Sequence, residues 1–186
     1  MPLLNAPPSV ESFISMETDF LLNRLSFGVE HFDKRLLQLK PDQLDMGFLA
    51  DAPGDLGRWP VRVLLGHLAD AELAFAFRMR RVVGEDNPLL ESWDENAYID
   101  NAIYGNETTP IERRPSVGAF VATMYTLRKW TGEWLRTLPD TAWTRKGLHN
   151  VRGEQTLKTI VAYDVWHLEH HAVFLNRKIA RFLGPG

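Results

Sequence analysis

Apolar residues return at intervals of three and four along four long stretches of this chain. Residues 17–40, ETDFLLNRLSFGVEHFDKRLLQLK, put Phe20, Leu21, Leu25, Val29, Phe32, Leu36 and Leu39 on one helical face and stop at Pro41. Residues 60–83 open with Pro60 at a first helical position and carry Val63, Leu64, His67, Ala71, Ala74 and Phe75 on one stripe, with Gly84 as a helix stop. A third stretch, 115–138, lies between Pro115 and Pro139 and aligns Val117, Phe120, Val121, Met124, Leu127, Thr131, Trp134 and Leu135. The fourth, 154–183, aligns Leu157, Ile160, Val161, Asp164, His167, His171, Phe174, Leu175 and Ile179. Basic residues near its end complement the helix dipole before Gly184 and Pro185.

No good alternating strand stands out. Four amphipathic helices predict an all-α fold, a four-helix bundle over residues 1–186 as one domain. The connections are uneven. The one between the second and third helices is long, rich in turn residues and aromatics, and has room for a short helix at 94–103. A link of this length can span the bundle, so these two helices can run parallel.

Composition narrows the class of function. A net charge of −3 argues against a nucleic-acid or anionic-membrane partner. The basic run RMRR, 78–81, falls inside the second helix and reads as a solvated face. No stretch reaches the ~20 apolar residues that span a bilayer, and the N-terminus lacks the basic-then-apolar order of a signal peptide. With no cysteine there is no disulfide and no thiol nucleophile, which fits a cytoplasmic location.

Histidine is where the chemistry gathers. WHLEHHAVF, 166–174, holds three of the six histidines. His167 and His171 are four apart, so their Cβ atoms stand about 5–6 Å apart on one helical face, the inward one. Two imidazoles so placed can reach one ion at about 2.0–2.1 Å. His170 lies roughly a quarter-turn away, toward the rim. His67 occupies the apolar stripe of the second helix. Alone, it reads as a hydrogen-bonded core residue, and the pair alone is a weak signal. Three inward histidines in one bundle read better as ligands of a shared ion, because burying each ring unpartnered costs about 1–3 kcal/mol. Three neutral imidazoles leave a coordination position open and suit Zn, Ni, Cu or Fe. Asp70 and Asp164, three residues from His67 and His167, are candidates to hydrogen-bond the free ring nitrogens; a surface ion pair is the alternative. Glu72 and Glu169 are expected to face solvent. His31 and His149 are weak candidates for ligands. Trp93, Tyr98 and Tyr104 in the crossover wall a pocket or simply cover the core, with Asn96 and Asn101 as possible polar contacts.

PVRVLLGHLADAELAFAFRMRRV (60–82) followed by GEQTLKTIVAYDVWHLEHHAVFLNRKI (153–179) resembles the DinB/YfiT-like superfamily. The resemblance covers nearly the whole chain in order and spacing. It implies His67, His167 and His171 as ligands of Zn or Ni, an up-down-down-up bundle with its crossover between helices 2 and 3, and a homodimer. It also implies a small-molecule substrate, with two activities open: a thiol S-transferase using a low-molecular-weight thiol such as bacillithiol or mycothiol, or a metal-dependent hydrolase. A non-enzymatic metal- or ligand-binding module is a third possibility.

Overall fold

Helices dominate the computed structural model, which describes residues 4, 6–48 and 55–185. In chain order they are α1 (Val10–Ile14), α2 (Thr18–Phe27), α3 (Pro41–Asp45), α4 (Val61–Gly84), α5 (Glu95–Asp100), α6 (Val117–Leu135) and α7 (Leu157–Leu183). Three short strands join them: β1 (Leu89–Leu90), β2 (Lys146–His149) and β3 (Gly153–Thr156). The bundle is formed by α2, α4, α6 and α7.

Side-chain pairs fix the helix directions. Arg62 at the start of α4 donates to the Pro115 carbonyl just before α6, and Arg80 near the end of α4 donates to Thr131 near the end of α6. These two helices therefore run parallel, as the long crossover allows. His67 and Glu72 of α4 face His167 and Asp164 of α7 in reversed order, so α4 and α7 are antiparallel. Arg24 meets Glu169, and the His31 carbonyl just beyond α2 meets Asn176, so α2 and α7 are parallel. Asn23 meets Arg136 and the Leu25 carbonyl meets Arg128, so α2 and α6 are antiparallel. The order is up-down-down-up.

The first predicted helix is not continuous. It ends at Phe27 and continues as 3-10 turns over Gly28–His31 and Lys34–Gln38. Asn176 of α7 supplies the cause. Its side chain accepts from the Asp33 backbone N–H at 2.8 Å and donates to the His31 carbonyl at 2.7 Å, taking both groups away from a helical ladder. Phe20, placed on the inward face by spacing, is 65% exposed.

A small sheet is the second departure. β2 and β3 form an antiparallel hairpin, and β1 pairs parallel with β2. This ties the start of the crossover to the segment before α7, which begins at Leu157 rather than 154. Thr156 caps α7 by accepting from the Thr159 N–H. Arg145, just before β2, donates to the Val82 and Glu85 carbonyls at the end of α4. The expected crossover helix is present as α5, capped by Asp94.

Two apolar clusters fill the bundle. Phe13, Leu21, Leu25, Phe75, Met79, Leu157, Val161 and Val165 pack at one end. Phe32, Leu36, Val61, Leu65, Leu68, Met124, Leu168, Leu175 and Ile179 pack at the other. Truncating a fully buried leucine such as Leu65 to alanine costs about 2–5 kcal/mol. Between the clusters lies a polar waist, with His67 and Glu72 on α4, Arg128 on α6, and Asp164, His167, Glu169 and His171 on α7. Gly66 admits the crossover to this level. A Cβ there would lie 2.2 Å from the ring of Tyr104.

Candidate metal centre

His67, His167 and His171 meet in the waist. Each offers one ring nitrogen, and these nitrogens all lie within 4.8 Å of one another. The Nε2 atoms of His67 and His167 are 3.0 Å apart. Two nitrogens held on one ion at 2.0–2.1 Å stand about 3–3.4 Å apart, so the spacing already suits a common ion. Ring centroids are separated by 4.9, 5.2 and 4.7 Å, with the rings turned edge to face. The antiparallel α4–α7 pair makes this possible: one helix supplies a single ring, and the other supplies two rings one turn apart.

Electrostatics keep the rings neutral. Burial pushes His67 down to about 4. Burial, then the neighbouring His67, His170 and Lys178, pushes His171 down to about 3. His167 lies well below its usual range through burial and then the nearby His171 and His67. Neutral imidazole keeps one lone pair per ring available, which a cation requires and a proton would block.

Aromatic rings wall the centre. Trp59 lies 4.9 Å from His67 and stacks on His171 at 6.0 Å and 22°. Trp93 lies 6.2 Å from His67, and Phe75 lies 6.0 Å from His167. Trp59, in the connection before α4, and Phe75 escaped the sequence reading of the site; a tryptophan beside Pro60 carries no periodic signal.

Two pockets flank the centre. One, of about 520 Å³, is bounded by Trp93, Tyr98, Asp70, Arg78 and Arg81 among others. The other, of about 200 Å³, reaches His171 itself between Trp59, Leu64, Phe174 and Lys178. Trp93 and Tyr98 thus wall a pocket, whereas Tyr104 is buried core cover. Asn96 and Asn101 sit on exposed α5 surface and take no part. His170 packs on Trp166 at 5.1 Å, at the rim. His149 ends β2, and its Nδ1 accepts from the Val151 and Arg152 N–H groups of the hairpin turn. His31 lies 3.6 Å from Glu169, away from the three rings.

The carboxylates differ from expectation. Asp164 does not support His167; it accepts from Arg128 at 2.9 Å. Asp70 does not support His67; it accepts from the Tyr104 hydroxyl at 2.7 Å. The Nδ1 of His67 is buried and has no hydrogen-bond partner among the described residues. Glu72 and Glu169 are buried rather than solvent-facing, at 3% and 0% exposure. Glu72 pairs with Arg128, and Glu169 with Arg24. Burial, with Asp164 as a like-charged neighbour, holds the Glu72 carboxyl well above the usual range. Two carboxyls against one guanidinium favour a proton on one of them, and both Glu72 and Asp164 are shifted upward by burial. Arg78, from the basic run expected at the surface, is 5% exposed and lies over the rings of Phe75 and Trp93.

Among the described residues, no helix is long and apolar enough to cross a membrane. The family model described as the DinB superfamily matches residues 10–174. A Bacillus subtilis (strain 168) relative bearing the name "Putative metal-dependent hydrolase YfiT" is 27% identical over 135 residues, covering 72% of this chain and 71% of that one. An Oceanobacillus iheyensis relative, also named a "Putative metal-dependent hydrolase", is 25% identical over 163 residues, covering 86% of each chain. The solved structure of the Bacillus subtilis YfiT protein, described as having an unusual four-helix bundle topology, superposes with a TM-score of 0.71 at 22% identity over 92% of each chain.

Proposed function

The chain belongs to the DinB superfamily, and from that premise we propose a divalent-metal-dependent enzyme of the thiol S-transferase type, acting on a low-molecular-weight thiol. The observation that carries this reading is the approach of three imidazoles, one nitrogen of each lying within 4.8 Å of the other two. His67, His167 and His171 would hold the ion, Zn or Ni by ligand type. When bound, the ion supplies positive charge that favours the deprotonated form of a thiol or water attached to it.

The chain's own residues then do three things. The histidines stay unprotonated because burial keeps their pKa values low. Trp59, Phe75 and Trp93 limit water around the rings. The pocket at His171 admits a small molecule. In the transfer, the thiol proton leaves to solvent, sulfur forms a bond to an electrophilic carbon, and the leaving group departs with its electron pair. A cysteine-free chain must obtain that sulfur from a co-substrate.

Hydrolysis is the second reading, favoured by the names of the relatives. It calls for a base to manage the proton of water. The nearby carboxylates are already engaged, Asp164 and Glu72 with Arg128 and Asp70 with Tyr104, which weighs toward thiol transfer. The test starts with elemental analysis of protein purified without a histidine tag. Thiol-dependent conjugation and ester hydrolysis are then assayed in parallel. Stoichiometric metal with thiol-dependent turnover that His171→Ala abolishes is the expected result. Full conjugating activity in metal-free His171→Ala protein would refute the proposal.

A further inference from the structure

Lys178 is a buried cation that none of the chemistry above uses. It lies seven residues beyond His171, two turns along the same face of α7, and is 1% exposed. Its Nζ donates to the carbonyls of Leu56 and Gly57, and the ring of Phe48 lies 4.8 Å away. An ammonium has three donors, so one is left. Its charge has no carboxylate partner within salt-bridge distance among the described residues. The nearest acidic side chain to act on it, Asp55, is exposed and paired with Arg177 at 2.9 Å. A charge taken out of water without an adjacent counter-ion is costly, and here two carbonyl dipoles, the face of Phe48 and the more remote Asp55 offset it in part.

The position of this charge is informative. Lys178 and His171 line the same pocket of about 200 Å³, with Trp59, Leu64 and Phe174 as walls between them. That volume is below the ~300–1,000 Å³ of drug-sized sites, so it suits a small molecule. An apolar channel with a cation at one end and the histidine centre at the other selects a molecule with an apolar middle and two different ends. Arg58, exposed at the same pocket, adds a second positive charge and no negative one.

We infer that this pocket binds small organic acids, with the carboxylate on Lys178 and the opposite end at the three-histidine centre. The carboxylate contact stands on Lys178 alone, whereas the orientation toward the histidines rests on the metal-site reading above. Burial also lowers the ammonium to about 8, so it is still charged at pH 7.

The experiment separates the two. Protein loaded with Co²⁺ is checked by its visible absorption; absence of the bound-cobalt spectrum sinks the metal reading only. Calorimetry then compares ω-mercaptoalkanoates with ω-mercaptoalkanols of the same chain length. The acid is expected to bind at least tenfold more tightly, and Lys178→Met should abolish this preference while leaving the cobalt spectrum unchanged. Equal affinity of acid and alcohol for the wild-type protein overturns the inference, as does an acid preference that survives in Lys178→Met. Should that variant fail to fold, metal-free wild-type protein is titrated with a simple alkanoate and its neutral amide. Shifts of the Gly57 amide and Trp59 indole NMR signals by the acid alone support the pocket, and identical responses to both, or none at these positions, reject it.

Discussion

The waist of the bundle holds two polar clusters that share α4 and α7, the first also drawing Arg128 from α6, with opposite characters. Around Arg128, the charges answer one another inside the protein, although Nη2 of the guanidinium is buried without a hydrogen-bond partner among the described residues. Glu72 and Asp164 accept from the guanidinium, Nε donates to the Leu25 carbonyl at 2.7 Å, and burial with the neighbouring Asp164 favours the protonated form of Glu72. One turn along α7, the histidines have no such closure. Three imidazoles gather with only the His67–His167 Nε2 contact between them, and His67 Nδ1 has no hydrogen-bond partner among the described residues. The first cluster pairs opposite charges by folding alone. The second brings together like groups whose only mutual hydrogen bond is the one between the Nε2 atoms of His67 and His167, an arrangement that a cation can replace.

The largest expected effect comes from breaking the closed cluster. Arg128→Met should leave two carboxyls buried without their cation and cost about 3–5 kcal/mol, read as a fall in the urea midpoint. A loss below about 1 kcal/mol would show that the network contributes little. The open cluster should behave in the opposite way. His171→Ala should scarcely alter stability in chelator, yet remove the stabilisation that added metal gives the wild-type protein. That gain is about 2.7 kcal/mol at a hundredfold excess of metal over Kd. Equal metal-induced stabilisation of both proteins would contradict the shared site.

A finer test concerns the protonation of Glu72. A carboxyl whose folded pKa is raised contributes stability that is complete below its unfolded value, near 4.5, and is lost as pH climbs toward the folded value. Glu72→Gln, which keeps the shape and fixes the neutral state, should therefore flatten the decline of stability above pH 4.5. A variant that retains the wild-type pH dependence would place the proton elsewhere. The smallest effect belongs to Asp70→Asn. It should weaken the bond from Tyr104 and cost about 1 kcal/mol without changing metal affinity. A drop in metal affinity would restore Asp70 to the role that its spacing from His67 suggested.

The same contrast explains what could be read from the chain itself. Three of the four main helices follow their apolar periodicity closely, because their stripes are buried in long uninterrupted contacts. The His67/His167/His171 set was visible for the same reason: each histidine falls on a buried stripe. Glu72 and Glu169 were misjudged because their partners are remote. Arg128 is 56 positions from Glu72, and Arg24 is 145 from Glu169. No local pattern announces such a pair. The interruption after Phe27 depends on Asn176, equally far away, while Phe32, Leu36 and Leu39 keep a spacing that 3-10 turns also satisfy. The hairpin was hidden because its alternation runs against hydropathy: Gly147 and His149 are buried, while Leu148 is 47% exposed. Lys178 went unnoticed as one of several cations near a helix end, and only its burial sets it apart.

The rings of His67 and His167 that touch in the finished molecule are 100 positions apart in the chain. On the ribosome, His67 emerges long before either of its companions. A nascent chain therefore carries only one of the three site imidazoles through about half of its synthesis, and a single such ligand holds an ion weakly. Ion capture belongs to the end of assembly, when α7 closes against α4, and its rate should follow that slow long-range closure rather than the local winding of either helix.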